Sequence, residues 1–305
     1  MPSTSILTPL SGDAFERDLD ALREAAESQA ARHEFIPDFR WPEGVRIAVN
    51  FTADYDTMLY RKVLGEPLLQ LAKGEFGGRV GMLRLVELFN GHGVKATFFT
   101  PGRVCELYPQ TLHQAIAGGH ELADHMWEHR TPKERELQID HIARTTRALE
   151  PFIGHRPVGT RSFWPHDLLR NEGYLYNSLG LASHLPYYTA DANGENCLVE
   201  LPFHWALDDA QFFTFGWLGS QPSAQHLSDP ERVLELWWDT FQQQYDKGGY
   251  INICLHPYVS GRAMRIAMLD ELIRRMKTLD GVWFPTCETV ARYCLDTYPP
   301  RKLRT

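Results

Sequence analysis

Four short runs in this sequence place residues of acid–base and metal-binding type where strands should end. In NFTADYDTM, Asp54 and Asp56 stand two apart. In an extended chain both side chains leave by one face, and converging carboxylates repel unless a cation or proton lies between them. A turn carrying two solvated acids is the ordinary alternative. In GHELADHMWEHRTP, His125 and His129 are four apart. On a helical turn that spacing puts both imidazoles on one side, about one metal ion apart, although chance gives such pairs too. A zincin reading of His120-Glu121 fails, because the next His lies five residues on and a helix would turn it away. NICLHPYVSGR ends an apolar run on His256, either a core histidine or a general acid or base tuned by a carboxylate. TRSFWP brings Arg161 out at a strand end, as a structural ion pair or a carboxylate clamp. Each signal is weak alone, but all fall at the ends of expected parallel strands. Asp56, His125 and His129 make a carboxylate–imidazole set that leaves positions open on a divalent metal, with Asp54 and His256 left as base and acid. That is the layout of metal-assisted hydrolysis.

These residues can meet only if strands end at those points. From about residue 41, apolar runs of strand length alternate with segments of helical period, the pattern of βα units and a parallel sheet. Strands are expected over 46–51, 94–100, about 120–125, 158–163, 197–203, 250–256 and 281–285. Helices are expected over 77–93, about 105–117, 131–153, 229–247 and 261–279. Gly91 or Gly93 stops the first of these, and Thr131 caps the third with Pro132 in its first turn. Residues 52–76 read as irregular, and residues 1–40 as a polar, helix-prone arm ahead of one domain over 41–305. Seven or so units fit a closed or nearly closed (β/α) barrel at least as well as an open sheet. No Gly-x-Gly-x-x-Gly or Walker loop follows a strand, which disfavours a nucleotide-binding α/β fold.

The chain has 305 residues, a net charge of −8, 13 His and five Cys. Its 43% hydrophobic and 23% charged fractions exclude disorder as the main architecture, and the acidic balance argues against a nucleic-acid partner. The cysteines show no zinc-ribbon or disulfide spacing, so they read as bystanders in a reducing compartment. The N-terminus lacks a basic start followed by an apolar run, and no stretch approaches the roughly 18 apolar residues of a membrane span. A cytoplasmic protein without membrane partners is the expectation.

With those residues in view, the sequence resembles the metal-dependent polysaccharide deacetylase family over roughly 41–295. Within it, the chain is most similar to the branch of peptidoglycan-deacetylase-like proteins, allantoinase-like proteins and cyclic imide hydrolases. The resemblance is carried by NFTADYD, GGRVGMLRLVELFNGHGVKATFFTPG, AGGHELADHMWEH, GTRSFWP, LVELPFHWALDD and ICLHPYVSGR. AGGHELADHMWEH matches the family's Gly-His-Glu-x-x-x-His-x-x-x-His pattern, and ICLHPYVSGR points to the branch. The resemblance implies a deformed (β/α) barrel of about seven strands. It implies zinc, or cobalt, nickel, manganese or iron(II), held by Asp56, His125 and His129. Asp54 would be the base, oriented by Arg161, and His256 the acid, paired with Asp208 or Asp209. The family's usual first motif has two adjacent Asp, whereas Tyr55 separates them here, so the roles of Asp54 and Asp56 stay exchangeable.

The implied reaction is hydrolysis of a non-peptide carbon–nitrogen bond, either N-deacetylation of an acetylated sugar or oligosaccharide, or hydrolysis of a small amide. Ring opening of a cyclic imide or ureide is the alternative. A non-catalytic carbohydrate-binding barrel would be expected to lack one of the five site residues, and none is missing. Trp127, Phe163, Trp164, Phe203, Trp205 and Phe213, with Asp208 and Asp209, are the candidates for contacting substrate. The acidic charge favours a neutral or cationic substrate. Similar proteins often form tetramers, so a homo-oligomer is expected.

Overall fold

A computed structural model describes residues 20, 21, 23, 24 and 32–300, apart from 64, 192, 194, 196 and 215–226. Most of the expected N-terminal arm lies outside the described residues. Its last part is a strand, β1 (His33–Phe35). The remaining strands are β2 (Ile47–Asp54), β3 (Ala96–Thr100), β4 (Glu121–Asp124), β5 (Gly159–Thr160), β6 (Tyr176–Asn177), β7 (Tyr187–Thr189), β8 (Leu198–Glu200), β9 (Tyr250–Leu255) and β10 (Val282–Trp283). The path β9-β2-β3-β4-β5-β6-β8 is parallel throughout, seven strands in a curled half-barrel. β10 adds to the first two residues of β2, while β7 and β1 extend the far edge antiparallel. β8 and β9 do not pair among the described residues. A single parallel bridge, Asp208 to Cys254, marks that seam.

Strand β2 shows why the sequence folds this way. All eight residues are buried, as a central parallel strand covered on both faces requires. Ile47, Val49, Phe51 and Ala53 join the large core beneath the outer helices. Ala48, Asn50, Thr52 and Asp54 alternate onto the other face, inside the half-barrel. β9 repeats the scheme. Ile251, Ile253 and Leu255 pack outward, whereas Tyr250, Asn252 and Cys254 face inward, in register with Ala48, Asn50 and Thr52. Both inner rows climb toward the strands' C-terminal ends, where Asp54 and His256 stand.

The helical layer follows the expectations with local corrections. Helix Met82–His92 buries Leu85, Val86 and Phe89 and stops at Gly93, whose φ of 65° suits glycine. The expected helix over 105–117 is two, Gly102–Leu107 and Pro109–Ala117, because Pro109 disfavours a helical conformation at Tyr108. The helix expected from Thr131 starts at Arg135 behind Glu134, since the Thr131 hydroxyl turns away toward Met126 Sδ. Asp229 caps Pro230–Lys247 by accepting from the Glu231 amide at 3.0 Å. The stretch read as irregular carries helices Thr57–Val63 and Leu68–Phe76, then a π turn over Gly77–Gly81.

Candidate active site

Asp54 is the last residue of β2, and Asp56 lies two residues beyond, before helix Thr57–Val63. His125 follows β4, its amide bonded to Thr100 O at 3.2 Å. The expected helical turn carrying His125 and His129 is absent. Met126 and His129 hold φ near 67° and 56°, so the chain reverses in a tight turn. That turn is pinned by Met126 N donating to the Asp124 carboxylate, and by Gly102 and Arg103 amides donating to the Met126 and Trp127 carbonyls. The imidazoles converge all the same, their centres 4.8 Å apart.

Asp56 is the hub. Its Oδ1 lies 3.3 Å from His125 Nε2 and 3.4 Å from His129 Nε2, and its Oδ2 lies 3.9 Å from His256 Nε2. The ligand atoms of Asp56, His125 and His129 all fall within 4.8 Å of one another. His125 Nδ1 is 2.7 Å from the Arg161 carbonyl, which takes a proton on Nδ1 and leaves Nε2 with its lone pair toward the cluster. Asp56 Oδ1 and His125 Nε2 are buried without a hydrogen-bond partner. Two orphaned acceptors aimed at one point, with a second imidazole, His129, beside them, are a donor set that suits a divalent cation. This is the fit that the implied metal requires.

Arg161 is buried and fully engaged. Its Nη1 donates to Asp54 Oδ1 at 2.6 Å and reaches Cys254 Sγ at 3.1 Å. Its Nη2 donates to Thr52 Oγ1 and Ser178 Oγ, and Nε to the Ser178 carbonyl. Burial raises the Asp54 pKa, but the guanidinium and nearby imidazoles outweigh it and hold the carboxyl below its usual range. Burial likewise works against ionised Asp56, and His129 and His125 overcome it.

The choice between Asp208 and Asp209 is decided by distance. Asp209 Oδ1 lies 2.7 Å from His256 Nδ1, and Oδ2 accepts from the His256 amide and the Ser260 hydroxyl. Asp208 stays 3.8 Å away and caps helix Asp209–Phe213 through the Ala210 amide. Burial alone would lower the His256 pKa, but the Asp209 carboxylate overrides it and the ring is pushed up to about 10. At neutral pH the ring carries a proton on Nε2, facing Asp56.

The aromatic candidates divide. Phe203 contacts the Arg161 guanidinium at 5.1 Å and the Trp205 ring at 5.2 Å. Trp205 and Phe163 are exposed at 50% and 72%. Trp127 is buried against Gly102 and under Arg103, Trp164 packs with Met126, Ile142 and Leu168, and Phe213 belongs to the large core. For these three the bulky ring is spent on packing. Sequence reasoning missed Asn252 and Cys254, although period-two counting along β9 puts both on the face of His256. Cys254 is thus no bystander. It also missed Tyr60, whose ring stands 4.8 Å from His129.

The chain resembles a known family. Residues 79–171 match the polysaccharide deacetylase family model. That match spans about a third of the chain, the part that carries Asp124, His125, His129 and Arg161. The chain is 26% identical to a peptidoglycan deacetylase of Helicobacter pylori, over 76% of this chain and 89% of the relative. It is also 26% identical to a peptidoglycan deacetylase-like protein of Gibberella zeae, over 87% and 90% of the two chains. A solved polysaccharide deacetylase-type protein from Mycobacterium smegmatis superposes with a TM-score of 0.79 at 29% identity, covering 89% of this chain and 99% of its own. An allantoinase structure shares the fold, with a TM-score of 0.73 at 22% identity over 86% and 94% of the chains. The protein is a deacetylase-type hydrolase acting on carbon–nitrogen bonds other than peptide bonds.

Proposed function

We propose that the chain is a metal-dependent N-deacetylase of an acetylated sugar or oligosaccharide, with the ion held by Asp56, His125 and His129. The observation that carries this reading is the pair of buried, unpartnered acceptors, Asp56 Oδ1 and His125 Nε2, converging with His129. A divalent ion there supplies Lewis acidity, polarising the acyl carbonyl and lowering the pKa of water. Zinc suits two imidazoles and one carboxylate, as do cobalt, nickel, manganese and iron(II). Asp54, kept ionised and aimed by Arg161, accepts a proton from the attacking water. His256, protonated through its contact with Asp209, donates from Nε2 to the leaving nitrogen, which is otherwise too basic to depart. The likeness to the peptidoglycan deacetylase relatives, which align over most of this chain, supports an acetylated sugar as the substrate class.

The test assays purified, zinc-loaded protein against N-acetylglucosamine oligomers, peptidoglycan fragments, succinimide and allantoin. Acetate release from the sugars is expected, and His125→Ala should lose both stoichiometric zinc and turnover. Ring opening of the imide or ureide without acetate release would replace the sugar reading with the alternative class. Full activity of His125→Ala would remove the metal.

A further inference from the structure

Tyr60 stands at the solvent side of the cluster, and nothing in the chemistry so far uses it. It lies on helix Thr57–Val63, which begins directly after Asp56. Its ring meets His129 edge-on, centres 4.8 Å apart and planes at 63°. His129 is the more open of the two imidazoles, its side chain 22% exposed against 5% for His125. It also has a left-handed backbone at φ 56°, a conformation that is strained for a non-glycine residue. Its ring therefore needs support that its own backbone does not supply.

The helix bearing Tyr60 is held firmly. Arg61 pairs with Glu66 at 2.9 Å and lies 4.6 Å over the Tyr258 ring, two residues after His256. A Cβ on Gly74 would meet the Met58 amide nitrogen at 2.3 Å, so helices Thr57–Val63 and Leu68–Phe76 touch backbone to backbone. Tyr60 is thus fixed between the His129 turn and the His256 loop. It is half-buried, and its hydroxyl makes no hydrogen bond among the described residues. A phenol is neutral below pH ~10, so it offers a donor next to carboxylates that offer only acceptors.

We propose that Tyr60 is the solvent-side wall of the metal site: its ring edge holds His129 in ligating orientation, and its hydroxyl donates a hydrogen bond to an acceptor oxygen of the substrate beside the scissile acyl group. This rests on the deacetylase reading and sharpens it. The substrate carries a carbonyl, hydroxyl or ether oxygen next to the amide, as an N-acetyl sugar does.

Two substitutions separate ring from hydroxyl. Tyr60→Phe keeps the edge contact and should bind zinc within twofold of wild type, measured by competition with a chromophoric chelator. Its kcat/KM on N-acetylglucosamine oligomers should fall roughly 3- to 10-fold, mainly through KM, as loss of one neutral hydrogen bond dictates. Tyr60→Leu should also weaken zinc about 10-fold, the scale of a lost ligand-orienting contact, with an unchanged thermal unfolding midpoint in the presence of chelator. Wild-type kcat/KM in Tyr60→Phe overturns the donor role, and wild-type zinc affinity in Tyr60→Leu overturns the holding role. Should wild-type protein bind zinc yet release no acetate, the deacetylase reading fails, while zinc affinity in Tyr60→Leu still decides the ring's part.

Discussion

At the residue scale the site is an exercise in compensating buried charge. Asp54 is held ionised inside the half-barrel chiefly by Arg161, which donates to Asp54, Thr52 and Ser178, with the imidazoles of His125 and His256 adding to the effect. Asp209 is similarly matched by the His256 ring and amide and by Ser260. Removing one member of such a pair costs more than removing both, because a lone buried charge has nowhere to go. Arg161→Met should therefore lower unfolding free energy by about 3–5 kcal/mol. Adding Asp54→Asn should restore part of that stability while leaving the enzyme inactive. Urea unfolding of the two variants makes the comparison, and a double variant no more stable than Arg161→Met alone would refute the account.

At the element scale, a glycine-rich turn sets the position of His256 from outside the barrel. The π turn Gly77–Gly81 presses against the loop after β9. A Cβ on Gly77 would lie 2.8 Å from Tyr258 Cβ, and one on Gly81 would lie 2.0 Å from the Pro257 carbonyl. Gly81→Ala must push that loop outward, and shifts of about 1 Å can cost on the order of 100-fold in rate. Activity should drop at least tenfold with zinc affinity unchanged. Gly91, on the following helix, has nothing within 4 Å of its would-be Cβ. Gly91→Ala should accordingly leave activity alone and stabilise by about 0.5–1 kcal/mol. Equal effects of the two substitutions on activity would sink the argument. The same elements mark what the sequence could reveal. β2, β3 and β9 were legible because strands buried on both faces read as unbroken apolar runs. β5 and β6 span two residues each and β1 and β7 three, too short for any period to register. The pairing of His125 with His129 was legible in its outcome but not in its means. Their convergence depends on left-handed residues that tertiary contacts impose, and spacing alone points to a helix instead.

At the scale of the whole molecule, seven parallel strands bring every proton-transfer and ligand candidate to one end, which is why distant motifs form one site. The sheet also buries a titratable group that this chemistry does not use. Glu200 ends β8 with its carboxyl buried, and Oε1 accepts from the Leu179 and Gly180 amides. Burial pushes its pKa up to about 7, against the pull of those amides and of Arg161. An acid whose folded pKa is raised holds a proton that the unfolded chain has already lost. Between its ordinary value near 4.5 and about 7 the native state therefore binds more protons, and stability falls as pH rises through that window. Below about 4.5 this group has no effect, and above about 7 the penalty is complete, on the order of 3 kcal/mol. Glu200→Gln keeps a carbonyl oxygen for both amides and removes the titration. The variant should match wild type in unfolding free energy near pH 4.5 and exceed it by pH 8, with the gap opening between those values. Urea unfolding across pH 4.5–8 measures the gap. A constant difference, or one that closes as pH rises, would mean that Glu200 is ionised in the folded protein throughout.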